Sequence, residues 1–249
     1  MIFRRGKKRD DVDAVPTEES ELGGETEHAD AELAGAALGP GDVDPEAFDP
    51  TELDGRDWRS SGPHDIAEVD PDDEPDDEPR IDLGSMILTA FDGAELRLQV
   101  AEETGQIVSA MLISDNSALE LGAYAAPRSG GLWAELRDEM IEAATEAGGD
   151  ASLAAGPFGV ELRRLLPVTT PEGEEGYQPS RMWVVEGPRW LLRGIVYGEA
   201  ALTDGEEPPV AELLTAFRRV VVRRGDEAMA PGDLLPLSMP ENLVAAEAE

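Results

Sequence analysis

The stretch AELRLQVAEETGQIVSAMLISDNSALELGAYA, Ala94 to Ala125, decides the fold class. Its first segment, Ala94 to Val100, alternates through Leu96, Leu98 and Val100, the period of a half-buried strand. Glu103-Thr104-Gly105 turns the chain into Gln106 to Ile113. Ser114-Asp115-Asn116 turns it again into Ser117 to Ala125, where Leu119, Leu121 and Ala123 share a face. Short turns between alternating segments predict an antiparallel meander. Upstream, Met86 to Phe91 is an apolar run followed by Asp92-Gly93, a two-residue hairpin signal, so it is expected to pair with Ala94 to Val100.

Downstream, Leu132, Trp133, Leu136, Met140, Ala143, Ala144 and Ala147 recur at helical spacing. Ser129 is the expected N-cap, Gly148-Gly149 the stop, and the Trp133 side the core stripe. Gly156-Pro157-Phe158-Gly159 marks a turn into a strand over Val160 to Val168, and 169–180 reads as a Pro/Gly/Glu-rich loop. A second hairpin joins Arg181–Val185 to Trp190–Tyr197 through Glu186-Gly187-Pro188-Arg189. Pro208-Pro209 opens another helix with Val210, Leu213, Leu214, Phe217 and Val220 on one stripe. Val220 to Val222 extends that helix or forms a short strand after it, and Arg224 to Leu237 reads as an ordered loop. The fold class is therefore α+β: an antiparallel meander sheet of about seven strands with two packed helices, in one domain over 81–240.

Residues 1–80 read differently. They hold 26 of the 55 acids and only 8 of the 20 bases. Five of those bases lie in the tip MIFRRGKKR, 1–9. The tract 10–80 is acidic and Pro-rich, and it ends in the near-pure acid and proline run Asp70 to Pro79. Such composition does not offset the backbone entropy of ordering, so 1–80 is expected to be a disordered tail. Two short apolar islands, Leu33 to Leu38 and Phe48 to Trp58, are the places where it would fold on a partner. Residues 241–249 are expected to fray.

Composition excludes whole classes of chemistry. The net charge is −35, and there is no cysteine. Both histidines and both lysines precede Arg80, so 81–249 lacks His, Lys and Cys altogether. That part cannot build the usual zinc or transition-metal site, a Ser-His or Cys-His nucleophile pair, or a Schiff base. Uniform acidity argues against binding a nucleic-acid backbone or an anionic membrane. No secretory leader follows the basic tip and no spanning segment is present, which predicts a cytoplasmic protein. No metal and no cofactor is expected.

The candidate site is the second hairpin with its neighbours: Arg128, Arg189, Trp190, Arg193 and Asp226. Arg189 and Arg193 are four apart and would project to one side of a regular strand, with Trp190 between them. Two guanidiniums and an indole suit cation–π contact or anion capture. The competing reading is a buried Trp190 with its arginines paired to surplus acids. The doublets Arg163-Arg164, Arg218-Arg219 and Arg223-Arg224 are expected to be solvated or ion-paired, since adjacent side chains point apart.

Four segments carry a resemblance: Ala125-Ala126-Pro127-Arg128-Ser129, Gly156-Pro157-Phe158-Gly159, Glu186 to Gly194, and Arg224 to Pro231. In this order they resemble the actinobacterial domain of unknown function 3710 family, from about residue 81 to 240. The family often has a basic residue after Pro231, where Gly232 stands here. The resemblance implies a cytoplasmic, actinobacterial protein and supplies no reaction. It also implies that the Gly187-Pro188-Arg189-Trp190 turn and the Arg224–Ala230 loop form one shared feature.

The first expectation is a non-enzymatic protein-binding or adaptor domain using a sheet edge or the Trp190 hairpin. A carboxylate-based or anion-binding enzyme, with Arg128, Arg189 and Arg193 holding a phosphate or carboxylate, is the alternative. A third reading makes the acidic tail a mimic that regulates a nucleic-acid enzyme.

Overall fold

The computed structural model describes residues 48–69, 80–89, 91–170 and 173–240. The apolar island Leu33–Leu38, the basic tip, the Asp70–Pro79 acid run and residues 241–249 lie outside them. The elements in chain order are α1 (Pro50–Asp54), β1 (His64–Asp65), β2 (Arg80–Asp82), β3 (Met86–Thr89), β4 (Glu95–Val100), β5 (Ile107–Ser114) and β6 (Ser117–Ala125). They continue as α2 (Leu132–Glu146), β7 (Asp150–Gly156), β8 (Gly159–Thr169), β9 (Glu175–Gly187), β10 (Trp190–Gly198), α3 (Glu199–Leu202), α4 (Val210–Arg218) and β11 (Val221–Val222).

The architecture is α+β. A seven-stranded antiparallel sheet runs β4-β5-β6-β10-β9-β8-β7, and a four-stranded sheet runs β1-β11-β3-β2. The alternation of β6 sends Leu119, Leu121, Ala123 and Ala125 to one face, where they join Trp183, Trp190, Leu192 and the α4 stripe Leu213, Leu214 and Phe217. The opposite face offers Leu162, Met182, Val184, Leu191 and Ile195 to Trp133, Leu136 and Met140 of α2. Each strand residue thus chooses its core by parity. Gly194 lets α4 approach: a Cβ there would lie 2.7 Å from the Phe217 ring.

The structure departs from the sequence reading in four places. The Asp92-Gly93 turn forms, with Gly93 at φ 84°, but it joins no hairpin. β3 pairs with β2 and β11, while β4 pairs with β5. All four β3 side chains are buried, as suits a strand covered on both faces rather than a half-exposed neighbour of β4. β7 was not expected, because its sequence DASLAAG has little strand propensity; the tight Gly156–Gly159 connection to β8 supplies the ladder. The expected 169–180 loop is mostly strand, since β9 begins at Glu175 and finds β8 as its partner.

The fourth departure is the stretch 48–69, read above as tail and here packed on the domain. Leu53 of α1 is buried with Ala155 and Val160, and Phe48 and Trp58 pack beside them. Arg137 of α2 forms a bidentate pair with Asp54, 2.7 Å on each oxygen. β1 adds in parallel to β11, His64 opposite Val221. Three aromatic or aliphatic anchors and the Arg137–Asp54 ion pair hold a segment whose average composition is that of a solvated chain.

Candidate functional site

Three of the four motif segments meet where β9 turns into β10. Pro188 and Arg189 form a two-residue connection, with Arg189 in the left-handed region at φ 64°. The Arg189 carbonyl accepts from the Ala126 amide at 3.0 Å and from Arg224 Nε at 3.1 Å. Its guanidinium donates to the Gly225 carbonyl at 2.9 Å, and Arg224 donates to the Glu227 carbonyl at 3.1 Å. The hairpin turn and the Arg224–Ala230 loop are therefore one bonded unit.

Trp190 opens β10 on the α4 face and is fully buried. Its Nε1 donates to Asp65 Oδ2 at 2.7 Å, and the Arg59 guanidinium lies 5.6 Å from its ring. A Cβ at Gly187 would collide with the Trp190 ring, so the residue opposite it across the ladder must be glycine. Arg59 is held by both oxygens of Glu68, at 2.8 Å each. That bond holds the Glu68 carboxyl below its ordinary value of 4.5.

Ser129 does not cap α2. Gly131 occupies the cap position without a side-chain bond, and Glu186 Oε1 accepts from the Trp133 amide at 2.7 Å instead. Glu186 thus supplies the negative charge that a helix N-terminus favours from across the sheet. Its Oε2 is buried and has no hydrogen-bond partner in the structure. Glu186, Trp58, Arg59, Gly130, Trp133 and Phe158 border a cleft of about 300 Å³. The fourth motif enters here, through Phe158.

Arg193 sits on the opposite face from Trp190, by strand parity. Its guanidinium lies 5.0 Å from the Tyr124 ring centre, and its nearest carboxylate oxygen, on Glu120, is 3.7 Å away. Tyr197 donates to Glu120 Oε2 at 3.2 Å. Burial, reinforced by the Glu120 charge, pushes the Tyr197 phenol up to about 12.

The five candidates are thus distributed. Arg189 and the Asp226 loop are joined through Gly225, and Trp190 follows Arg189 directly. Arg193 faces the α2 layer with Tyr124, while Arg128 and Asp226 are exposed side chains. The four-residue spacing of Arg189 and Arg193 does not act as a strand repeat, because Arg189 belongs to the turn. Of the doublets, Arg163 pairs with Glu161 and Asp204 as expected, while Arg164 on the other face is half-buried and forms no ion pair among the described residues. Sequence reasoning missed Arg59 and Asp65, and singled out Trp58 only as the end of the Phe48–Trp58 island. The Asp65-x-x-Glu68 spacing is a capping-box signature, and both of its bonds are made.

Among the described residues, no group of three His, Cys, Asp or Glu side chains is placed to hold a metal ion. No helix of the described residues is long and apolar enough to cross a membrane.

The class is an α+β domain with a seven-stranded antiparallel sheet between α2 on one face and α4 with a small sheet on the other. The family described as "Protein of unknown function (DUF3710)" matches residues 62–246, and the chain belongs to that family. Among curated proteins, none matches the chain.

Proposed function

We propose that this chain is a non-enzymatic protein-binding domain acting in the cytoplasm, and that its partner docks on the outer part of the β8–β9 hairpin. The supporting observation is the ribbon itself. β7 stops opposite Leu165 and β10 stops opposite Ser180, so residues 166–169 and 175–178 have only each other in the described ladders. Leu165 stands opposite Pro179 and Pro167 opposite Tyr177, on one face. Leu165 is 40% exposed and Tyr177 60% exposed. An isolated two-stranded ribbon is marginal in water, and an apolar face on it is unfavourable unless covered.

Charge favours a partner over a second copy. A chain carrying −35 repels itself, whereas an apolar patch rimmed by Lys or Arg on another protein is attracted. The β4 edge is a poorer docking strand, because its outward residues Glu95 and Arg97 pair with each other there. The buried carboxylates and half-buried Glu186 speak for structure over catalysis: Asp65 holds Trp190, Glu161 holds Arg181 and Arg163, and Glu186 caps α2.

The test is a crosslinking pull-down with the full chain as bait, comparing it with a Leu165→Asp/Tyr177→Asp variant and with Arg128→Gln. The double variant is expected to lose a partner that the other two retain, and added salt to weaken that capture. Recovery of the same proteins by all three baits would refute the ribbon as the docking surface. A dimer that the double variant dissociates would replace the partner by a second copy.

A further inference from the structure

A small apolar pocket of about 120 Å³ lies between α2 and the sheet, lined by Trp133, Leu136, Met140, Val184 and Leu191. Tyr124 and Arg193 stand at the same pocket, which Gly232 of the C-terminal loop also borders. Dry cavities of this order accept a benzene-sized group.

The cation there is short of counter-charge. Arg193 Nε is buried without a hydrogen-bond partner; its one ion pair, to Glu120 Oε1, is long at 3.7 Å, and the other oxygen of that carboxylate accepts from Tyr197. Arg164 on β8, coupled electrostatically to Arg193 and Glu120, also leaves its Nε buried and unpartnered and forms no ion pair among the described residues. Two guanidiniums therefore share one carboxylate. This is the reverse of the rest of the interior, where Arg137, Arg181 and Arg59 each have a carboxylate at 2.7–2.9 Å. In a chain with 55 acids and 20 bases, a locally positive spot runs against composition. Burial and the Arg193 charge hold the Arg164 guanidinium below its ordinary value.

The cation is also fixed in place. The Tyr124 ring lies across Gly122, where an added Cβ would come within 3.2 Å of it, and Arg193 stacks above that ring. A held guanidinium beside an apolar pocket recognises a carboxylate attached to a compact apolar group. Glu120, 3.7 Å from the Arg193 guanidinium, disfavours a dianion more than a monoanion, which selects carboxylate over phosphate.

We propose that this pocket binds a small aryl or branched-alkyl carboxylate, with its apolar group between Leu136, Met140 and Leu191 and its carboxylate on Arg193. The site is separate from the partner-binding ribbon.

Sodium phenylacetate is the probe, titrated into the full chain and followed by amide shifts in two-dimensional NMR. Shifts are expected at Leu136–Met140 and Leu191–Arg193, with a Kd on the order of millimolar for a fragment of this size. The neutral 2-phenylethanol is expected to bind at least about tenfold more weakly, and Arg193→Gln to weaken phenylacetate by a similar factor. Arg128→Gln should leave it unchanged. Absence of shifts up to about 10 mM phenylacetate would overturn the proposal. So would equal binding of the alcohol, or inorganic phosphate binding as tightly as phenylacetate. The two-ligand comparison on the unaltered chain decides the matter even where Arg193→Gln fails to fold.

Discussion

Glu161 is 1% exposed and accepts four hydrogen bonds: from Arg163 Nε and Arg181 Nε on one oxygen, and from Arg181 Nη2 and Trp183 Nε1 on the other. Arg181 is as buried and sends Nη1 to the Thr203 carbonyl at 2.7 Å. Removing one member of such a pair strands the other charge away from water. Glu161→Ala is therefore expected to destabilise by about 3–5 kcal/mol, and Glu161→Met with Arg181→Met by clearly less, measured by urea unfolding. Little of this was legible in the sequence. Glu161 is one of 29 acids after Arg80, and its partner Arg181 is 20 positions away on another strand. Arg193 was legible as a strand residue, but its isolation from carboxylates was not, because composition alone predicts a surplus of them. Arg189 was rightly placed in the turn, but the direction of its side chain was not legible, since a φ of 64° cannot be read from a residue type that seldom adopts it.

At the scale of elements, alternation carried the reading wherever one face was buried. β5, β6, β10, α2 and α4 lie where periodicity put them. β3 formed as a strand but with other partners, being too apolar to show a face, and β7 was missed, being too small-sided to show a strand. The 48–69 stretch was read as tail because charge was averaged over a long window: the Phe48–Trp58 island stood out, but the surface it settles on belongs to this chain, and the Asp65–Glu68 box stayed hidden. Its attachment depends on few bonds. Trp190→Phe keeps an aromatic ring but loses the five-membered half of the indole and with it the 2.7 Å bond to Asp65, an acceptor left 9% exposed. The expected cost is about 1.5–3 kcal/mol. Limited proteolysis should then cut first within 48–69, with the rest of the sheet resistant. Even cutting across the domain would show that the segment is no separate unit.

For the whole molecule, the charge excess makes both ends of the pH scale informative. Glu68 and Asp82 are held below their ordinary 4.5 and 3.8, first by bonds to Arg59 and Arg223. A carboxyl lowered on folding contributes stability that is complete above its ordinary value and is lost as pH falls through its folded value. Stability should therefore drop on the acid side, and Glu68→Gln should flatten that limb of a Tm–pH profile. Tyr197, raised to about 12, acts in the other direction. Its contribution is complete below about pH 10 and is lost as pH rises from there toward 12, and Tyr197→Phe should remove that step.

The parallel pairing of β1 with β11 bears on the order in which the molecule can be assembled. His64 waits for Val221, 157 positions later (221 minus 64), and Asp65 waits for Trp190. During synthesis the 48–69 segment emerges long before the groups that hold it. Until they arrive, Leu53, Trp58 and the capping box have no surface to settle on. The earliest described residues are thus among the last to be fixed, and completing them signals that the rest of the sheet is in place.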